Sequence, residues 1–286
     1  MQRSNPFRTA PTDVELALSL SWKLVATAAL IVLAARLARS FGPFMTSIMI
    51  TIPLNAGPGF FFIALEQPAA FISQGALFAF AAAGPVLVFM SVYAQAARFG
   101  GFGFCLLLAS IAWWLPGLLL SQIELTLPSA FAMVAAGALF ARLTRRRMDL
   151  FQLPKISPPD WPALILRGLA GGIAVAGIAS FNAWLGPDMS GLLLGFPTIV
   201  TASVWVLHRR YGGEFAAATL TSGQRSLVTY ASFCLLLHLL AGPLPAVSAV
   251  LTAFTLSVCL AALLAWLVWR AMQRTRAKAS AATSLP

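Results

Sequence analysis

Two short stretches of this chain carry the residue types that can bind a polar solute inside an apolar setting. The first holds Thr51, Pro53 and Asn55, and the second holds Pro197, Thr198 and Thr201. Proline has no N–H to donate, so a helix containing one leaves a carbonyl a turn upstream without its partner. In hydrocarbon that carbonyl must find a hydroxyl, a water or a bound solute. A carboxamide such as that of Asn55 adds two donors and an acceptor. Thr46 and Ser47 in the first stretch, and Ser190 and Ser203 around the second, add hydroxyls. The chemistry on offer is hydrogen-bond recognition of a solute. Bond-breaking chemistry is not indicated, because the two histidines, His208 and His238, stand far apart and the carboxylates are scattered. There is no G-x-x-x-x-G-K-[ST] phosphate loop, no H-E-x-x-H and no Cys/His metal spacing. We therefore expect no enzyme, no cofactor and no metal.

Each stretch belongs to a longer apolar segment, and the two segments echo each other. FGPFMTSIMITIP at 41–53 and LGPDMSGLLLGFP at 185–197 place Gly-Pro, Met and a second Pro at a constant offset of 144 residues. Lys23 and Arg167 stand at the same offset. Two copies of one membrane unit, each with an interrupted helix, form the pattern associated with a transporter site near the midplane. Pro53 and the Gly57-Pro58-Gly59 run flank Asn55, so at least two helical turns are expected to be loosened there.

The surroundings are a membrane. Of 286 residues 59% are hydrophobic and only 9% are charged, with a mean hydropathy of +0.86. Soluble domains carry about 25% charged residues, so this chain cannot cover a soluble surface. Nine segments reach the length needed to cross a bilayer: 16–38, 43–65, 71–97, 102–121, 125–143, 161–182, 187–207, 217–241 and 243–269. The first is interrupted by Lys23 and Arg36, which leaves an in-plane helix as its alternative. The net charge of +11 fits basic loops facing an anionic cytoplasmic leaflet rather than nucleic acid. With the C-terminal tail inside, 16 of the 19 basic residues fall on the cytoplasmic side, and only Arg3, Arg8 and Lys23 fall outside.

Five helices separate a feature of the first unit from its copy, and five is odd, so the copies are inverted. The expected fold is all-α: a membrane bundle of nine helices in two inverted repeats joined by a linker helix. Its units are 1–121, a linker at 122–160, 161–270 and a disordered tail at 271–286. The linker loop is basic and Pro-rich, with Arg145–Arg147 read as a topology signal and an anionic-lipid contact. Lys23 and Arg167 are expected to snorkel to the interfaces, or alternatively to attract an anionic solute to either mouth. Gly168 and Gly172 form a G-x-x-x-G that implies close helix packing. Cys105, Cys234 and Cys259 sit in apolar runs and read as small hydrophobes.

Residues 190–214, SGLLLGFPTIVTASVWVLHRRYGGE, resemble the GlpM-like group of small bacterial inner-membrane proteins. The matching residues are Gly191, Leu192, Leu193, Phe196, Pro197 and Thr198, with Arg209, Arg210 and Gly212 in the following loop. The first half departs from this pattern at Ser47, Ile48, Met49, Ile52 and Leu54. The resemblance implies a multi-pass protein of the bacterial inner membrane.

Two functions fit these features. One is a transporter moving a small polar or anionic solute between the broken second and seventh helices, with Thr51, Pro53, Asn55, Pro197, Thr198 and Thr201 lining the site. The other is a non-catalytic membrane subunit that organises a cell-envelope complex through its basic loop and tail. The expected partners are anionic lipid, an unidentified solute, and a second copy or a complex partner.

Overall fold

The computed structural model describes residues 13–40, 53–120, 124–145 and 161–283. Among these the chain forms helices and turns, with no strand. In order they are α1 (Asp13–Ser40), α2 (Ala56–Ala64), α3 (Ala69–Ala96), α4 (Phe102–Leu120), α5 (Leu127–Arg145), α6 (Trp161–Ser180), α7 (Asn182–Leu194) and α8 (Thr198–Tyr211). Then follow α9 (Gly213–Gly223), a 3-10 turn (Gln224–Ser226), α10 (Leu227–Leu240) and α11 (Ala246–Thr283).

Five of these helices are long and apolar enough to cross a membrane, and α7 with α8, bent by 41°, makes a sixth if taken as one span. α1 is among the five, through Asp13–Arg36. α4 is apolar but shorter, over Phe102–Leu118. The outer surface suits a bilayer. On α6, Ile165, Leu169 and Ile173 repeat every fourth residue and are all exposed, and α4 presents Phe104, Leu107, Ile111, Leu115 and Leu118 in the same way. A soluble protein does not expose apolar surface on this scale.

α3 forms the centre. It is apolar on every side and buried over most of its length, which is the pattern of a helix surrounded by others. It packs against α4, α5, α7, α9 and α10. Small residues set how closely these neighbours approach. Gly75 of α3 faces Gly191 of α7, and Gly84 faces Met133 and Gly137 of α5, with no room for a Cβ at Gly84, Gly137 or Gly191.

The G-x-x-x-G of α6 does pack closely. Gly172 lies against the Leu24 carbonyl and Gly168 against Ala28 and Val32 of α1. The two helices run antiparallel: Lys23 meets Ala179 and Ser180, while Ile31, two turns further along α1, meets Gly171, two turns back along α6. α3 and the α9–α10 segment are antiparallel as well. Ser73 pairs with His238, Tyr230 donates to the Ala79 carbonyl, and Gln224 donates to Ser91.

Several expectations are corrected. The Gly57-Pro58-Gly59 run is not loosened. It forms the first turn of α2, with Gly57 N donating to Pro53 O at 2.9 Å and Gly59 N to Asn55 O at 3.1 Å. Proline is compatible with a first turn because its missing N–H would have no helical partner there. The glycines serve packing instead, since a Cβ would meet Phe254 at position 57 and Leu194 at position 59. The expected segment 217–241 is divided by the 3-10 turn at Gln224–Ser226. Residues 271–283, expected to be disordered, continue α11. That helix has neither Gly nor Pro between Ala246 and Thr283 and is rich in Ala and Leu, which favour helix.

Candidate functional site

Asn55 sits in the turn that opens α2, where a side-chain oxygen ordinarily caps the helix. Here it makes no cap. Its Nδ2 donates instead to Oγ1 of Thr198 at 2.7 Å, and its Oδ1 is buried without a hydrogen-bond partner. Thr198 holds one end of the carboxamide only, so either orientation of the amide leaves one polar atom without a partner. That atom lies beside Gly171, where a Cβ would stand 3.1 Å from Asn55 Oδ1 and 2.5 Å from Ile31 Cδ1. Four elements therefore meet at Asn55: α1, the turn before α2, α6 and the start of α8.

Thr198 is presented by the break between α7 and α8. Pro197 cannot donate, and the chain turns so that Phe196 N bonds Leu193 O at 3.0 Å and Thr198 N bonds Phe196 O at 2.8 Å. Among the described residues no backbone N–H reaches the carbonyls of Leu194 or Gly195. The ring of Phe196 is held edge-on by Trp113 at 4.9 Å and by Phe89 at 6.2 Å, which fixes the position of the break. A second interruption lies at Gly186, whose φ of +73° is open to glycine and strained for other residues. Beside the break a groove of about 190 Å³ is lined by Trp114, Ala174, Ile178, Leu193, Phe196 and Thr198, with the Thr198 hydroxyl its one oxygen-bearing side chain.

The six residues expected to line a site fare differently. Asn55 and Thr198 are brought into direct contact, and Pro53 and Pro197 are buried next to them. Thr201 turns inward on its own helix, its hydroxyl donating to Pro197 O at 2.9 Å, so it stabilises the break rather than facing Asn55. Thr51 lies outside the described residues.

A second polar cluster was not anticipated. Lys23 does not snorkel; it is buried, and its Nζ pairs with Glu66 Oε1 at 2.7 Å. The same ammonium donates to the Ala179 carbonyl at 3.2 Å and to Ser180 Oγ at 3.4 Å. Asn182 Nδ2 donates to Glu66 Oε2 at 2.9 Å and to Ala179 O at 2.6 Å, while Gln67 Nε2 donates to Asn182 Oδ1 at 2.6 Å. Burying an ammonium is costly unless it is paired and hydrogen-bonded, and this cluster supplies both. A sequence signal existed: Lys23 is the basic residue inside an apolar run that breaks the positive-inside pattern. Its partner, 43 residues away, could not be chosen from several carboxylates.

The histidines contact the two ends of α3. His238 lies against Ser73, and His208 Nδ1 lies 2.9 Å from the Tyr93 hydroxyl. Among the described residues no group of three or more His, Cys, Asp or Glu side chains is placed to hold a metal ion.

The site at Asn55 allows a direct test of its dimensions. Gly171→Ala would place a methyl group against Asn55 Oδ1 and Ile199 Cγ1, each at 3.1 Å, and would displace the end of the Ile31 side chain, whose Cδ1 would stand at 2.5 Å. If the space beside Asn55 takes a solute, the variant is expected to weaken its binding by about tenfold, the equivalent of about 1.4 kcal/mol, with the yield of folded protein near wild type. A variant that leaves binding unchanged would show that the space beside Asn55 is not used.

Comparison of the chain with protein-family models, with curated proteins and with solved structures finds no match.

Proposed function

We propose that the protein is an inverted-repeat membrane transporter, with Asn55 and Thr198 as the centre of its solute site. The observation that carries this reading is the 2.7 Å bond between these two residues across the two Pro-interrupted segments, together with the partnerless buried oxygen of Asn55. A buried polar atom without a partner costs free energy. At a place where helices are broken, a bound solute is the natural partner.

The repeat is supported by the helix starts. α3 begins at Ala69 and α9 at Gly213, α4 at Phe102 and α11 at Ala246, and Pro53 and Pro197 precede α2 and α8. Each pair is 144 residues apart. Inversion is supported by direction, since α1 runs antiparallel to α6, and α3 to α9–α10. The cross-contacts also exchange: α2 packs on α11 and α8 packs on α4. On this reading the chain crosses the membrane nine times, with α9 and α10 forming one crossing; of the expected segment at 43–65, residues 43–52 lie outside the described residues.

A cytoplasmic C-terminus is supported by three Arg–Trp contacts on the face assigned as basic. Arg36 lies over Trp161 at 5.0 Å, Arg209 over Trp205 at 5.7 Å and Arg270 over Trp266 at 3.9 Å. Such pairs suit the interface, where aromatic rings sit at headgroup level and cations meet anionic lipid. Placement in a bacterial inner membrane rests on the resemblance at 190–214. A binding role rather than histidine catalysis is favoured because Ser73 and Tyr93, which hold the two histidines, are roughly 30 Å apart along α3.

One observation favours the second reading, a subunit that organises an envelope complex. α11 is 38 residues long, about 57 Å at the helical rise, against a hydrocarbon core of about 30 Å. Its basic end would then extend beyond the bilayer as a docking rod.

The deciding experiment is thiol accessibility. Cysteines are placed singly at Asn55 and Thr198 in a chain whose own Cys105, Cys234 and Cys259 are replaced, and are labelled with a membrane-impermeant reagent from each face of sealed vesicles. Labelling from both faces is the expected result. Protection from both faces would mean a dry core, and would turn attention to the complex-organising reading.

A further inference from the structure

We propose that Lys23 and Asn182 form a carboxylate-binding cradle for a small monocarboxylate solute, which Glu66 occupies as a built-in competitor. The proposal names a solute class for the transporter reading and rests on that reading only for the solute's onward movement.

The geometry is that of one carboxylate held at both oxygens. Lys23 Nζ donates to Oε1 at 2.7 Å and Asn182 Nδ2 to Oε2 at 2.9 Å. Both donors are positioned without help from Glu66. Lys23 is braced by Ala179 O and Ser180 Oγ, and Asn182 by Ala179 O and Gln67. The donors are each 1% exposed, whereas the Glu66 side chain is 39% exposed. The acceptor is therefore the member that water reaches and that can leave, while the donors stay. The cradle holds one cation against one carboxylate. A monocarboxylate replaces Glu66 with no change of charge, whereas a dianion would leave an excess negative charge in a partly dry place.

The cradle is also connected to Asn55. Lys23 and Ile31 are two turns apart on α1, roughly 12 Å, and Ile31 borders the space beside Asn55 Oδ1. Thr27 lies between them, one turn from each. It is 1% exposed and its Oγ1 has no hydrogen-bond partner. Two partnerless buried oxygens, on Thr27 and Asn55, thus follow the cradle along the same stretch of α1. The Thr27 hydroxyl can donate to a carboxylate that has displaced Glu66, while Asn55 Oδ1, which only accepts, would take a donor elsewhere on the solute.

The test is rescue by a free carboxylate. Purified full-length Glu66→Ala leaves the cradle empty and the Lys23 ammonium without its counter-ion, so the variant is expected to melt below wild type. Sodium acetate is then expected to raise its midpoint by about 5 °C at saturation, because a ligand that binds only the folded state stabilises it. Sodium chloride at equal ionic strength is expected not to. Wild type is expected to need at least about tenfold more acetate for the same shift, since a tethered competitor acts at an effective concentration near the millimolar range. Adding Lys23→Gln to Glu66→Ala is expected to abolish the response. If Glu66→Ala is recovered only when purified in acetate, that is itself the predicted rescue. If it is not recovered at all, Glu66→Gln carries the same titration.

The proposal is overturned by an equal response to chloride, by a response that survives Lys23→Gln, or by no acetate response in either Glu66 variant. These readouts measure binding alone. Rescue in a protein whose residues 55 and 198 are protected from both faces would keep the cradle and remove the transporter. Two-sided labelling without rescue would keep the transporter and remove the cradle.

Discussion

Gly191→Ala is expected to remove folded protein from the membrane, while Gly177→Ala is expected to be tolerated or slightly stabilising. Both glycines are helical, so backbone propensity alone would favour alanine at each by about 0.5–1 kcal/mol. The difference lies in what a methyl would meet. At Gly191 the added carbon would stand 1.9 Å from the carbonyl oxygen of Gly75 and 2.7 Å from its carbonyl carbon, whereas at Gly177 there is nothing within 4 Å. The obstacle at Gly191 is backbone and cannot rotate away. α7 would have to move off α3, the helix against which most of the bundle packs, and with it the break that presents Thr198. Overpacking against a rigid partner costs about 3 kcal/mol or more. Membrane yield and the thermal midpoint in mild detergent measure both variants. A Gly191→Ala protein as stable as wild type would mean that α3 and α7 are not in contact at this point.

On the transporter reading, Asn55→Leu and Thr198→Val are each expected to reduce transport to about one hundredth of wild type or less, Asn55→Leu with near-normal yield of folded protein. The two changes act on one hydrogen bond. Each also removes a polar group offered to the solute, and two hydrogen bonds at about 1.5 kcal/mol each correspond to roughly a hundredfold. Folding is expected to survive Asn55→Leu because the orphaned oxygen disappears with the carboxamide, and an apolar group of similar size suits the surrounding Ile31 and Ile199. The double variant is expected to be no worse than the more damaging single change, since residues that share one interaction are not additive. Solute uptake into proteoliposomes reads the effect. Transport by either single variant at the wild-type rate would remove Asn55 and Thr198 from the site.

Much of the architecture was legible before any tertiary structure. A chain with 9% charged residues and 59% hydrophobic residues has no folded form that covers a soluble surface. Proline and glycine act on the backbone locally, so the break at Pro197 and the corner at Gly186 could be read from their own neighbours. The 144-residue offset between Pro53 and Pro197 singled out the two stretches whose side chains meet, Asn55 and Thr198. Gly168 and Gly172 predicted a close helix contact, because a side-chain-free stripe permits one wherever a partner exists.

Which partner, and with what consequence, was decided only by packing. The G-x-x-x-G of α6 does not say that α1 lies across it, and without that contact nothing brings Lys23 to Ala179, Ser180 and Glu66. Lys23 alone reads as a snorkelling cation because a long side chain near a helix end can reach water. It is buried because a carboxylate, two carbonyl and hydroxyl acceptors and a bracing Asn182 converge from three other elements. Thr198 and Thr201 are alike in type and neighbourhood. Only the direction in which each faces separates the hydroxyl that meets Asn55 from the one that bonds back to Pro197. The sequence by itself determined the class of molecule, the broken segments and the polar atoms in them, because each follows from composition or from backbone chemistry within a few residues. The tertiary structure decided the pairings, because a hydrogen bond or ion pair across 43 or 143 residues depends on how whole helices pack, and helix packing is set by shape summed over many side chains.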